Sequence, residues 1–287
     1  AKALPLLRRL AEPAPEHPDV LALTAAALAA LEQRRGFDEA RSTLLRLLRQ
    51  DVESAALLHF AGDVAVRLRD EALALGFYRR ALARDPMRPT PRVAIARLLR
   101  ERGDLLAARL ELVAALASAP QWREAIVELA RVHRDAKRLA DARLVLADHL
   151  LRVPTDLEAL GVLTEVLVAE SRLADARVAV DRLLRHGADH ATGLWFDGLL
   201  LTEQSRLRDA AMRWSRLSRI AVAEPWSSYA RAALARLPRA ADLGASESIF
   251  DVALFDRARD EAPHVTAHAA TPSVDGNGTP VATASVA

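Results

Sequence analysis

Residues 138–143 read RLADAR, residues 172–177 read RLADAR again, and residues 206–211 read RLRDAA, so one phrase opens three times at intervals of 34 residues. Working outward at that interval, Pro86, Pro120 and Pro154 share one register. Ala40, Ala74, Ala108, Ala142, Ala176 and Ala210 share a second. Four places after each alanine stands a larger apolar residue: Leu44, Tyr78, Leu112, Leu146, Val180 and Trp214. Three places further on come Leu47, Ala81, Ala115, His149, Leu183 and Leu217, and twelve places before each alanine lie Leu28, Gly62, Ala96, Ala130, Thr164 and Gly198. Positions four and seven apart share a helical face. Small residues let two helices approach closely, and a proline after a helical run stops it. The period therefore predicts a close-packed helical unit repeated every 34 residues.

Composition agrees with an all-α chain. Of 287 residues 51% are apolar and only 4% aromatic, with the helix formers Ala, Leu and Arg dominant. Arginine supplies 38 of the 40 basic residues, which we read as codon bias in a GC-rich genome. Cysteine is absent, excluding disulfides and Cys-based metal sites. That absence does not choose between cytoplasm and periplasm; no signal peptide is visible, which tips the expectation slightly toward the cytoplasm. No apolar run approaches the ~18–20 residues that span a bilayer. The chain opens on Ala in what reads as the middle of a repeat, so a piece of a longer or processed protein is expected.

The pattern resembles the tetratricopeptide-repeat family over roughly residues 21–224, as six units starting at Leu21, Ala55, Pro89, Arg123, Leu157 and Ala191. The resemblance implies a right-handed α-solenoid of antiparallel helix pairs, one per 34 residues, in which RLADAR spans the turn into the second helix. There Asp141, Asp175 and Asp209 fall near the positive helix end, where a carboxylate contributes about 0.3–1 kcal/mol. The family's first-helix Trp and Tyr are replaced, for example by Leu58 and Ala65, and Ala188 and Val222 stand where the later prolines would be. Residues 1–20 read as a partial repeat, a second helix and a Pro-rich turn. Residues 225–238 read as a terminal capping helix, and 239–287 as an acidic, largely disordered tail with a short helix at 247–261.

A search for chemistry ends without a catalytic or metal site, and no cofactor is expected. His186 and His190 lie four apart with Gly187 between them and no flanking Glu, and His264 and His268 repeat that spacing in the tail. His149 reads as a buried neutral histidine. The DGNG stretch at 275–278 precedes no helix.

By the same resemblance, the first helix of each unit lines a concave groove. Its slots hold His59, Phe60, Asp63 and Arg67, then Arg97 and Arg100, then Glu128, Arg131 and Arg134, then Glu165, and finally Trp195, Phe196 and Leu199. The arginines either grip a partner's carboxylates or pair with Glu128 and Glu165. At least one of Trp195 and Phe196 is expected to be exposed, because neighbouring helical positions point about 100° apart. Slots that hold Lys and Asn in the chaperone-tail clamps of the family lack Asn here; the chain's one Asn is Asn277.

The tail from 239 carries seven acidic and three basic residues. Phe250 and Leu254 make it either a ligand for the groove, a route to self-interaction, or a short helix packed on the solenoid's end. A non-enzymatic scaffold for a protein or peptide segment, acidic or aromatic and within a larger bacterial assembly, is the leading expectation. An RNA-binding helical repeat and a regulatory arm of a longer protein are the alternatives. Net charge of only +2 and the lack of a stacking aromatic in each repeat weigh against nucleic acid.

Overall fold

The computed structural model describes residues 16–30, 34–220 and 225–237. The readings of residues 1–15 and of the tail, including Phe250 and Leu254, lie outside the described residues. Within them are thirteen helices: α1 (Pro18–Ala29), α2 (Arg34–Arg49), α3 (Ala55–Arg67), α4 (Glu71–Arg84), α5 (Pro89–Glu101), α6 (Leu105–Ser118), α7 (Arg123–Asp135), α8 (Leu139–Arg152), α9 (Leu157–Ala169), α10 (Leu173–His186), α11 (Ala191–Glu203), α12 (Leu207–Leu217) and α13 (Trp226–Arg236). The fold is an all-α helical-repeat solenoid. The chain divides into two compact units, residues 1–179 and 180–287.

From α3 to α10 the rhythm is constant. A 13-residue first helix is followed by a three-residue turn, a 14-residue second helix and a four-residue link. The period of 34 is thus built from local stop signals. The link residues Pro86, Pro120 and Pro154 follow the helix ends Arg84, Ser118 and Arg152 by two places. A proline there cannot continue the helix.

Each three-residue turn closes the same way. Arg69, Gly103, Lys137, Ser171 and Ser205 take positive φ, at 55°, 89°, 59°, 57° and 58°. The next residue's N–H reaches back to the preceding helix, as from Asp70 to Ala65 O, Arg138 to His133 O and Arg172 to Leu167 O. This is a left-handed helix terminator that satisfies the last carbonyls. Glycine occupies it once.

In RLADAR, Arg138 takes the N-cap position and makes no side-chain cap bond to the backbone. Its Nε instead donates to Asp141 at 2.6 Å, and Arg172 and Arg206 do the same to Asp175 and Asp209 at 2.8 and 2.7 Å. The carboxylates therefore act in the first helical turn, while Asp70 and Asp104 cap α4 and α6 directly through the N–H groups of Leu73 and Ala107.

The repeating positions form the core. All six periodic alanines are fully buried, as are Leu44, Leu112, Leu146 and Val180 four places on. Where that larger residue is aromatic, the small slot facing it is glycine. A Cβ on Gly62 would lie 2.4 Å from Tyr78 Cε1, and one on Gly198 would lie 2.2 Å from Trp214 Nε1. In the same register alanine, Ala96 and Ala130, stands where the larger residue is the smaller Leu112 and Leu146. Because Trp214 is buried and its Nε1 donates to Trp195 O at 3.2 Å, its ring cannot swing aside. Gly198→Ala is expected to destabilise the second unit by about 2 kcal/mol through overpacking, read as a lower urea midpoint by tryptophan fluorescence. A midpoint unchanged from wild type would overturn the packing assignment.

Candidate functional site: the first-helix face

The first helices α3, α5, α7 and α9 carry the sequence-nominated residues of the first unit. Arg97 and Arg100 on α5, and Arg131 and Arg134 on α7, lie one turn apart on one face and converge on Glu128 and its neighbours. Glu128 is 3% exposed and sits among three guanidiniums. Arg97 Nε donates to its Oε1 at 3.0 Å and Arg131 Nη1 to the same oxygen at 2.7 Å, while Arg100 Nε lies 3.4 Å from Oε2. Burial alone would raise the Glu128 carboxyl, but Arg131, Arg97 and Arg100 hold it below the ordinary value, so it stays ionised.

Arg100 and Arg131 each reach a further carboxylate. Arg100 Nη1 reaches Asp135 at 3.2 Å and Arg131 Nη2 reaches Glu158 at 2.8 Å. Arg134 pairs with Asp135 at 3.1 Å and with Glu165. Arg97, Arg100 and Arg131 thus pair with Glu128 and Arg134 with Glu165, while Asp135 and Glu158, the latter shared with Arg123, complete the network.

Arg97 differs from the other three. Its side chain is 39% exposed, and its two terminal nitrogens donate no hydrogen bond among the described residues. Arg67, on the last turn of α3, is exposed and has no ion pair among the described residues. Phe60 is 36% exposed on the same helix. His59 is half-buried, 3.7 Å from Asp63 through Nε2, with its ring 5.3 Å from that of Tyr78. Burial, together with Arg88 and Arg97, lowers the His59 pKa against the pull of Asp63. Tyr78 donates its hydroxyl to Asp63 at 2.7 Å, and burial with Asp63 beside it raises that phenol.

In the second unit the expectation for the aromatics is overturned. Trp195 is 5% exposed and Phe196 is fully buried. Helix α13 supplies the cover: the Trp195 ring lies 6.3 Å from Trp226 and 5.7 Å from Tyr229, and Phe196 lies 6.0 Å from Trp226. Neighbouring helical positions do point apart, but two packing partners, α12 and α13, cover both directions. Trp195 and Phe196 are core residues and leave the candidate site. Leu199 is half-buried on the same helix.

One cluster went unnominated. Asp156, in the link before α9, accepts from Arg123 Nε at 2.8 Å and Nη2 at 3.0 Å, and from the N–H groups of Glu158 and Ala159 at 3.1 Å each. His149 Nε2 lies 2.8 Å from its Oδ2, with both residues buried. Burial would raise the Asp156 carboxyl, yet the bonds from Arg123, His149 and Ala159 hold it below the ordinary value. With Asp156 ionised, the His149 Nε2–H donates. The sequence signal was present in His149 standing where the other units have an apolar residue. The cluster ties α7, α8 and α9 together. Among the described residues no group of three or more His, Cys, Asp or Glu could hold a metal, and no helix is long and apolar enough to cross a membrane.

No family model and no curated protein matches the sequence. Solved structures do match in shape. A tetratricopeptide-repeat protein from Parabacteroides merdae superposes with a TM-score of 0.62 at 14% identity, over 80% of this chain and 91% of that one. PilF of Pseudomonas aeruginosa gives 0.54 at 20% identity, over 75% and 99%. PilW, a type IV pilus biogenesis factor, gives 0.56 at 15% identity, over 72% and 96%. At these identities the likeness is one of fold, and the fold of this chain is the tetratricopeptide repeat.

Proposed function

We propose that this chain is a non-enzymatic protein-interaction scaffold whose first unit binds an extended partner segment along the first-helix face. The carrying observation is Arg97: buried Glu128 clamps its Nε while the outer edge of its guanidinium stays exposed. A fork held in one orientation loses little entropy on meeting a carboxylate. Arg67 adds a second exposed guanidinium on α3, and Phe60 an apolar contact, so the partner is a segment with a carboxylate beside an apolar side chain. Arg131 and Arg134, turned onto Glu158 and Glu165, support the face and do not reach for the partner. Glu128, Asp135, Glu158 and Glu165 interrupt the basic surface, which favours a peptide over a phosphate backbone. The setting we infer is a larger bacterial assembly, a reading supported by the likeness in fold to PilW, a type IV pilus biogenesis factor.

The test is a random-peptide display selection on the full chain, followed by fluorescence anisotropy of the recovered peptide. We expect an acidic–apolar consensus whose binding weakens with salt and falls at least tenfold in Arg67→Gln/Arg97→Gln. Glu128 keeps Arg100 and Arg131 in that variant, so the melting temperature should change little. Arg97→Glu and Arg131→Glu are the wrong probes, because each sets a second carboxylate against buried Glu128. No consensus, or affinity indifferent to both substitutions, would sink the reading.

A further inference from the structure

Helix α6 is apolar nearly all round: of its 14 residues only Arg109, Glu111 and Ser118 are polar. A helix of that composition is ordinarily covered on every side. Here Ala108, Leu112 and Ala115 are buried, while Leu106, Leu110 and Val113 are 64%, 57% and 49% exposed. With exposed Ala117 they fall at i, i+4, i+7 and i+11, one continuous stripe. Helix α8 repeats it one period later with exposed Ala140, Leu144, Ala147 and Leu151, the two leucines 68% and 82% exposed. None of these eight positions is charged. In the flanking second helices the register breaks, with Gly76 and Arg79 on α4 and Asp181 and Arg185 on α10. The stripe runs the full length of α6 and α8, and on α10 it ends at exposed Val178, where Asp181 and Arg185 follow in the register.

We infer that the α6–α8 stripes are a self-association surface, on which a second copy of this chain docks α6 against α6 in antiparallel fashion about a two-fold axis near Leu110. Three observations select a second copy. A stripe with this spacing is its own complement, since the side chains of one helix fill the gaps of the other. Arg109 and Glu111 flank Leu110 on either side, so the two-fold places Arg109 of one copy opposite the Glu111 carboxylate of the other, which Arg92 of its own chain holds at 3.0 Å. The five Leu and Val side chains expose on the order of 500 Å² of apolar surface, most of the roughly 800 Å² that each partner gives to a standard interface. This contact uses second helices only and leaves Phe60, Arg67 and Arg97 on the first helices open.

Sedimentation equilibrium of the full chain between about 1 and 100 µM should show the mass rising from one chain to two. Leu110→Glu/Leu144→Glu should weaken that association at least tenfold, with helical circular dichroism and melting temperature unchanged because both sites are exposed. The chain has no cysteine, so Leu110→Cys places a unique thiol at the axis and should give a disulfide-linked dimer under mild oxidation. Met87→Cys, also exposed in the first unit, should give little. A single chain mass at the highest concentration overturns the inference. So does a dimer that survives both glutamates, or one abolished by Phe250→Asp/Leu254→Asp alone, which would assign self-association to the tail.

Discussion

Asp156→Ala should cost the chain about 4 kcal/mol of stability at neutral pH, as a fall in the urea midpoint with little change in slope. The residue is 6% exposed and both of its oxygens are occupied: Oδ1 by Glu158 N–H, Ala159 N–H and Arg123, Oδ2 by Arg123 and His149. Removing it takes away the N-cap of α9, worth about 1 kcal/mol. It also strands the buried His149 N–H, at about 1–3 kcal/mol. Breaking one side of a buried ion pair costs about 3–5 kcal/mol, but Arg123 is part-exposed and keeps Glu158 at 2.9 Å, so only a fraction of that applies. Asp156→Asn keeps the cap acceptor and should recover about 1 kcal/mol of the loss.

The difference between wild type and Asp156→Ala must also depend on pH in one direction. The folded-state pKa of Asp156 lies below the ordinary 3.8, so its contribution is complete above that value. It is lost as pH falls from there through the folded pKa. Urea midpoints at pH 7 should therefore be far apart and should converge at strongly acid pH. A gap that stays constant with pH would mean that the stabilisation comes from packing and not from the carboxylate.

The second large effect is at Glu128. Glu128→Ala leaves Arg97, Arg100 and Arg131 facing one another without the anion that joins them. Arg100 keeps Asp135 and Arg131 keeps Glu158, whereas Arg97 loses the hydrogen bond that orients it. We expect a loss of about 3 kcal/mol, at the lower end of the range for a broken buried pair because Arg97 can turn to water. Glu128→Gln, which preserves volume and an acceptor, should lose about half as much. Binding of the selected peptide should weaken in both variants even where the chain is fully folded, since the Arg97 fork is no longer held. Chemical denaturation separates the two readouts. A loss under 1 kcal/mol in Glu128→Ala would place the network among ordinary surface ion pairs.

How far the sequence reaches differs between the helices and the site. Periodicity alone determined the helix pairs, because the stop at each proline and the buried alanine, leucine and glycine positions depend on residues within one or two turns of each other. Gly62 opposite Tyr78 and Gly198 opposite Trp214 are legible for the same reason: sixteen residues apart, each pair lies within one helical hairpin. The turn terminators were not legible, since four of the five positive-φ positions hold Arg, Lys or Ser where glycine would have signalled the conformation. Only the tertiary structure decided the rest. Whether Arg97 faces solvent or a carboxylate depends on how α5 sits against α7, which brings it to Glu128 from 31 residues away. At least one of Trp195 and Phe196 reads as exposed until α13 is laid over them. A side chain's type and its place on a helix follow from local spacing; its partner follows from packing between helices, because burial and pairing are properties of the gap between elements and no single element contains that gap.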